Sequence, residues 1–145
     1  MKLASELETF KRQLGVRELT NACRELEQVE CPVKHDFADG VYARTMQVPA
    51  GTFVIGKRHR FNTLNIMTKG RALVYVGDNL PAKEIVAPFT FVSDPMVRKM
   101  AFFLEDSEWV NVHPTEETDL DKIEELFIMP EEEYLSIEGG TKCLG

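Results

Sequence analysis

The strongest constraint on the fold is a series of short apolar runs in residues 33–113, each about the length of a β-strand. Turn residues separate these runs at intervals of roughly ten residues, as at residues 49–51, 69–70 and 77–79. Such spacing is typical of antiparallel sandwiches and small barrels. Strand-like and helix-like segments do not alternate here, which argues against a doubly wound α/β fold. We therefore predict a mainly β domain over residues 32–114.

Helical patterns flank this β region on both sides. Ser5 and Glu8 have the spacing of a capping box, and apolar residues then recur every three or four positions. Gly15 interrupts that pattern, which predicts two N-terminal helices within residues 1–31. Residues 115–145 are predicted to form a C-terminal helix followed by a loose tail. The N-terminal apolar stripe fits either of two roles, covering the domain or pairing with a second copy of the chain.

Charge and composition argue against several classes of function. The 145-residue chain has a net charge of −7, which argues against general nucleic-acid binding, because phosphate contacts need clustered Lys and Arg. No run of apolar residues is long enough to span a membrane, and the first residues lack the apolar run of a secretory signal. The three cysteines are sparse and form no CxxC pair, which favours free thiols in a reducing compartment.

A basic cluster, Lys57-Arg58-His59-Arg60, interrupts the apolar runs of residues 49–70. Side chains two apart on a strand share a face, so Lys57 and His59 are predicted to point into the domain together. Arg58 and Arg60 would then point the other way. After an intervening turn, the residues predicted to share the interior with this pair are Thr63, Asn65 and Met67.

Distinctive phrases run through the β region and beyond it, from Cys31 to about Glu125. They read CPVKHDFADGVYAR, VPAGTFVIGKRHR, LNIMTKGRALVYV, APFTFVSDPMVRK and EDSEWVNVHPTEETD. In these phrases the chain resembles a family of small phage-encoded cupin-like proteins. The resemblance implies a small β-barrel or jelly roll of the cupin type, and a location in the host cytoplasm or the virion. Members of that family are mostly of unassigned function, so the resemblance implies a fold more than an activity.

The chain departs from that family where cupins hold a metal. Relatives tend to carry histidine at both ends of an H-x-H triplet, where this chain has Lys57 and His59. The turn at Pro95 is not followed by the histidine of the second cupin motif. A divalent metal usually needs three or four protein ligands, and only His59 and His113 keep imidazoles at matching positions. We therefore expect no metal cofactor, with His59 and His113 as the ligands if one is bound.

Cationic side chains stand where the metal ligands would be. The residues predicted to bind a ligand are Lys57, His59, Thr63, Asn65, Arg98 and His113, with Lys99 as an alternative to Arg98. Lysine supplies a point charge and arginine a two-pronged donor, which suits a carboxylate or phosphate. The competing interpretation is that Lys57 extends to the barrel mouth and that His59 is an ordinary core or rim histidine. No catalytic residue is assigned.

Three functions are compatible with these residues. The first, which we favour, is a non-catalytic phage protein that acts in assembly or interaction, as a virion component or a modulator of a host factor. It would form a homo-oligomer, so its partners would be a second copy and other phage or host proteins. The second is a protein that binds or sequesters a small anionic metabolite or nucleotide in the barrel. The third is a metal-dependent cupin enzyme that uses His59 and His113.

Overall fold

The computed structural model of the chain describes residues 28–76 and 81–144. The two helices predicted near the N-terminus lie almost entirely outside these residues, as does the turn predicted at residues 77–79. Within them the chain forms β1 (Val33–Ala38), β2 (Val41–Val48), β3 (Phe53–Ile55), β4 (Arg58–His59), β5 (Thr63–Lys69), β6 (Arg71–Val76), β7 (Lys83–Val86), β8 (Phe89–Ser93), β9 (Lys99–Phe103), β10 (Ser107–His113), α1 (Leu120–Phe127), β11 (Ile128–Met129) and α2 (Glu131–Leu144). The prediction of a mainly β fold is confirmed.

Antiparallel pairing joins these strands into three sheets. A five-stranded sheet has the order β1-β2-β10-β5-β8, and a four-stranded sheet has the order β3-β9-β6-β7. A short pair, β4 with β11, ties the basic cluster to the C-terminal segment. The two larger sheets share one hydrophobic core, as in a jelly roll, and the strands of the described residues do not close into a single barrel.

The hydrophobic core lies between the two larger sheets. The five-stranded sheet contributes Met67 and Trp109, and the four-stranded sheet contributes Phe103, which packs edge-on against Trp109 with ring centroids 6.1 Å apart. Burial alternates along β5 from Thr63 to Met67, because successive side chains of a strand point to opposite faces. Each large apolar side chain buried in this way contributes about 2 kcal/mol to folding.

The turn between β5 and β6 requires glycine. Gly70 has a φ of 94°, in the left-handed region that other residues rarely adopt. A Cβ atom at this position would overlap Ser107 Oγ and would lie 2.7 Å from the Asp106 carbonyl oxygen. Both the backbone conformation and the lack of space therefore exclude a side chain.

The C-terminal segment contains two helices, where the sequence pattern predicts one helix and a tail. Asp119 caps α1, and its carboxylate accepts hydrogen bonds from the backbone N–H groups of Asp121 and Lys122. The chain then forms β11 before α2 begins at Glu131. Residues 139–144, predicted as a loose tail, continue α2, so that prediction is wrong. None of the helices described is both long and apolar enough to cross a membrane.

Candidate ligand-binding site

A cavity of about 360 Å³ lies between the two larger sheets. Strands β2, β9 and β10 supply its walls, and α1 and β11 also line it. Helix α1 is strongly amphipathic, and its residues in the lining are Leu120, Ile123, Glu124 and Phe127. Three of these four side chains are apolar, so the cavity has an apolar cover on the side of α1.

Three rows of side chains cross the five-stranded sheet on the face that lines the cavity, because residues paired across antiparallel strands share a face. The row nearest the core is apolar and contains Met46, Trp109 and Met67. The middle row is polar and contains His35, Arg44, Asn111 and Asn65. The third row contains Phe37, Tyr42 and His113. Where these rows line the cavity, the side chains therefore change from apolar in the first row to polar in the middle row.

Arg44 of the middle row and Lys99 of β9 bring positive charge to the cavity. Both residues are partly buried, and none of the ion pairs formed among the described residues includes either of them. Among the described residues that line the cavity, only Glu124 carries a carboxylate, and this carboxylate pairs with Lys57. Burial of a cation without a counterion is costly, and no carboxylate of the described residues balances the charge of Arg44 or Lys99 through an ion pair.

Lys99 ends on a network of neutral groups. Its Nζ donates a hydrogen bond to Ser93 Oγ at 3.2 Å, and Ser93 Oγ also accepts from Asn65 Nδ2 at 3.1 Å. The side-chain oxygen of Asn65 accepts in turn from Trp109 Nε1 at 3.2 Å and from Asn111 Nδ2 at 2.7 Å. Burial lowers the pKa of Lys99 from 10.5 to about 8, because desolvation disfavours the charged amine.

Two imidazoles complete the polar part of the cavity. The ring centroids of His59 and His113 are 5.4 Å apart, and His113 packs on Phe127 at 4.7 Å. Burial, and then the charges of Lys99, His113 and Arg44, lower the pKa of His59 from 6.5 to about 3. Burial and the same two cations also lower the pKa of His113. Both rings are therefore neutral at pH 7, and His59 Nδ1 is buried without a hydrogen-bond partner in the described part of the chain.

Three of the predicted ligand-binding residues, Lys57, His59 and His113, line the cavity. Lys57 lies at its rim, where the side chain is 66% exposed and Glu124 neutralises its charge. Arg58 and Arg60 point away from the cavity, as the alternation predicts, and they pair with glutamates of α2.

The other three predicted ligand-binding residues do not line the cavity. Thr63 and Asn65 are buried within the five-stranded sheet, and their side chains form hydrogen bonds inside the protein. Arg98 points to the C-terminal segment, where its NH1 lies 3.3 Å from Glu131. Its Nε donates to the Gly56 carbonyl oxygen at 3.3 Å.

Arg44, Tyr42 and Asn111 line the cavity and are absent from the predicted set. The sequence does contain a signal for Arg44, because Tyr42, Arg44 and Met46 alternate on one face of β2 and place a charge between two apolar side chains. Tyr42 Oη and His35 Nδ1 share a hydrogen bond of 2.7 Å, and burial raises the pKa of Tyr42. A charged residue flanked in this way on an inward face is a good candidate for a ligand contact.

Comparison with known proteins identifies the fold. No protein-family profile and no curated protein match this chain. A solved cupin superfamily protein from Desulfitobacterium hafniense superposes with a TM-score of 0.50 at 12% identity, over 63% of this chain and 84% of that one. The chain has a cupin fold. KdgF from Halomonas sp. is similar over 65% of this chain and 88% of its own, with a TM-score of 0.52 and 16% identity. The plu4264 protein of Photorhabdus luminescens is similar over 70% of this chain and 88% of its own, with a TM-score of 0.51 and 12% identity.

Cupin folds often hold a metal, and the donor set of the described residues does not fit one. His59 and His113 lie together, but the described residues contain no group of three or more His, Cys, Asp or Glu side chains that could hold a metal ion. Arg44 and Lys99 share the cavity with them and would repel a cation. A metal-dependent enzyme would therefore find too few ligands among these residues.

Proposed function

We propose that this chain binds a small organic anion in the cavity between its two larger sheets. The observation that carries the proposal is that Arg44 and Lys99 line the cavity without a carboxylate partner among the described residues. Other partly buried arginines differ in this respect, since Arg58, Arg60, Arg71 and Arg98 each pair with a glutamate. A bound anion would supply the missing counterion.

The size and lining of the cavity suit an anion that has an organic body. Its volume, about 360 Å³, lies at the small end of the range for small-molecule sites. Arg44 can hold a carboxylate through two parallel hydrogen bonds, and Lys99 adds a point charge. Ile123 and Phe127 offer an apolar surface to the rest of the molecule. A compact carboxylate therefore fits this set of contacts better than a highly charged polyphosphate.

Thermal unfolding with matched variants tests the proposal. Pyruvate, 2-oxoglutarate, citrate and inorganic phosphate are each compared with chloride at equal ionic strength. We expect at least one of these anions to stabilise the wild type, by about 1.4 kcal/mol at ten times its Kd. The double variant Arg44→Met with Lys99→Met should lose that increment. The control, Lys69→Met with Lys83→Met, removes two exposed positive charges and should keep it. Equal stabilisation of all three proteins by the anions, or no stabilisation of any of them, would refute the proposal.

The pH dependence of binding gives a second test. The amine of Lys99 is charged below a pKa of about 8 and neutral above it. We therefore expect calorimetric affinity for the stabilising anion to fall as the pH rises from 7 to 9.5. Lys99→Arg, which stays charged throughout this range, should show a much smaller fall. An identical pH profile in the two proteins would mean that Lys99 does not contact the anion.

A second candidate function is self-association, through which a phage cupin of the kind the sequence resembles would act in assembly. Both edge strands of the five-stranded sheet expose large apolar side chains: Val33 and Phe37 on β1, and Phe89 and Val92 on β8. Exposed edge strands of this kind are able to pair with another chain. Sedimentation should show a dimer or larger species of the wild type that Val92→Lys weakens, and a monomer at every concentration would exclude this role.

A further inference from the structure

The Lys99 amine differs from the other described lysines in its surroundings. Its strand places it on the same face as Ala101 and Phe103, which belong to the core, and its Nζ contacts the uncharged hydroxyl of Ser93. Lys57, by contrast, is largely exposed and pairs with Glu124. A buried amine that is paired with no carboxylate is the form of lysine that can lose its proton and act as a nucleophile.

A neutral fraction of this amine is present near neutral pH. With a pKa of about 8, roughly a quarter of Lys99 is unprotonated at pH 7.5. An ordinary lysine with a pKa of 10.5 is unprotonated at that pH in only about one molecule in a thousand. Lys99 therefore combines access to the cavity with a free electron pair on nitrogen.

The groups around this amine suit one chemical class of partner. Arg44 lines the same cavity, and its row of side chains on the five-stranded sheet includes Asn65, which donates a hydrogen bond to the same Ser93 hydroxyl as Lys99. We propose that Lys99 condenses reversibly with the carbonyl group of a small 2-oxo acid whose carboxylate is held by Arg44. This inference rests on the proposed anion-binding function and names the class of anion.

The condensation needs no reagent beyond the protein and the ligand. The nitrogen electron pair of neutral Lys99 attacks the carbonyl carbon, a C–N bond forms, and the carbonyl oxygen takes up a proton. The resulting carbinolamine loses that oxygen as water, and a C=N bond forms as the imine, so no atom is oxidised or reduced by an outside agent. The protons that nitrogen gives up are those that the departing oxygen carries away as water, so the exchange balances between the amine and the acid.

Reductive trapping tests this step directly on the wild-type protein. Full-length protein is incubated at pH 7.5 with pyruvate or 2-oxoglutarate and sodium cyanoborohydride, which delivers hydride to the imine carbon and fixes the adduct as a secondary amine. Intact mass should show one addition equal to the acid less water plus two hydrogens, and peptide mapping should place it on Lys99. From the ratio of neutral fractions, modification of Lys99 should exceed that of an exposed lysine on the order of a hundredfold.

Matched variants and a matched ligand separate the outcomes. Lys99→Met should abolish the adduct, whereas Lys69→Met, which removes an exposed amine outside the cavity lining, should leave it unchanged. Lactate has the same carboxylate without the carbonyl, so it should bind in an Arg44-dependent manner and give no adduct. If lactate and pyruvate both bind but no adduct forms on Lys99, the imine is refuted and the anion site stands. If neither binds, both proposals fail. Adducts spread evenly over exposed lysines would also refute the imine, and mapping on the wild type keeps this result independent of how the variants fold.

Discussion

Acidification from pH 7 to pH 5 should destabilise this protein in part through the buried imidazole of His59. Burial, reinforced by the nearby charges of Lys99, His113 and Arg44, lowers its pKa from 6.5 to about 3 in the folded chain. In the unfolded chain the pKa returns to its ordinary value. Between these two values the unfolded state binds a proton that the folded state does not. The contribution of neutral His59 to stability is therefore complete above pH 6.5 and is lost progressively as the pH falls towards 3.

The magnitude follows from the distance between pH 5 and the unfolded pKa. That distance is about 1.5 pH units, and each unit corresponds to about 1.36 kcal/mol, so the loss at pH 5 is about 2 kcal/mol. This value is insensitive to the folded pKa, because at pH 5 the folded imidazole is neutral whether its pKa is about 3 or about 4. For a domain whose whole stability is on the order of 10 kcal/mol, such a loss is easily measured.

Urea unfolding at pH 7 and pH 5 gives the measurement. Trp109 is the only tryptophan of the chain and is buried, so its fluorescence reports the transition. His59→Phe keeps a ring of similar size but cannot bind a proton, and it should lose about 2 kcal/mol less than the wild type over this pH range. Imidazole NMR of the folded wild type should show neutral His59 at pH 5. The reasoning is refuted if wild type and His59→Phe lose equal stability, or if the His59 ring titrates near pH 6.5.

Three further substitutions test the packing around the site by urea unfolding at pH 7. Asn65→Leu leaves the indole N–H of the core without its acceptor and should cost about 3 kcal/mol, so wild-type stability would show that this network is dispensable. Glu131→Gln weakens the ion pairs with Arg58 and Arg98, whose side chains are 14% and 16% exposed, and should lower stability by about 2 kcal/mol. Glu132→Gln, at an exposed position, should cost almost nothing, and equal losses in the two variants would contradict a role for these ion pairs. Gly70→Ala should lower stability by about 3 kcal/mol, because the new side chain is strained and also overlaps its neighbours. Gly51→Ala should lower it by only about 1 kcal/mol, because Gly51 has a φ of 81° but open space around it, and the reverse order would contradict the turn geometry.

The faces of the longer strands could be predicted from the sequence because alternation is a local property. Thr63, Asn65 and Met67 are all buried, as their spacing of two predicts. The same rule applied to Tyr42 and Arg44 would have identified a second part of the cavity wall. What alternation cannot supply is the neighbour across the sheet, since the register that joins Arg44 to Asn111 connects residues far apart in the chain.

Lys57 shows where the local rule ends. The strand that contains His59 begins only at Arg58, so the spacing of two between Lys57 and His59 extends beyond the paired residues. Lys57 lies at the rim, and its charge is satisfied by Glu124, which is 67 residues later in the sequence. An ion pair of that kind depends on the packing of α1 against the sheets, which no local pattern predicts.

Arg98 and Lys99 show why the charge of a cavity cannot be read from composition. Neighbouring residues of an extended chain point to opposite sides, so the sequence predicts that only one of the two reaches the interior. The structure gives that place to Lys99, because Glu131 at the start of α2 draws Arg98 to the outer side. The chain as a whole has a net charge of −7, yet none of the carboxylates described forms an ion pair with Lys99. The basic character of the cavity is therefore a property of the tertiary fold, which holds Glu124, the one carboxylate of the described lining, at the rim beside Lys57 and leaves the amine of Lys99 inside.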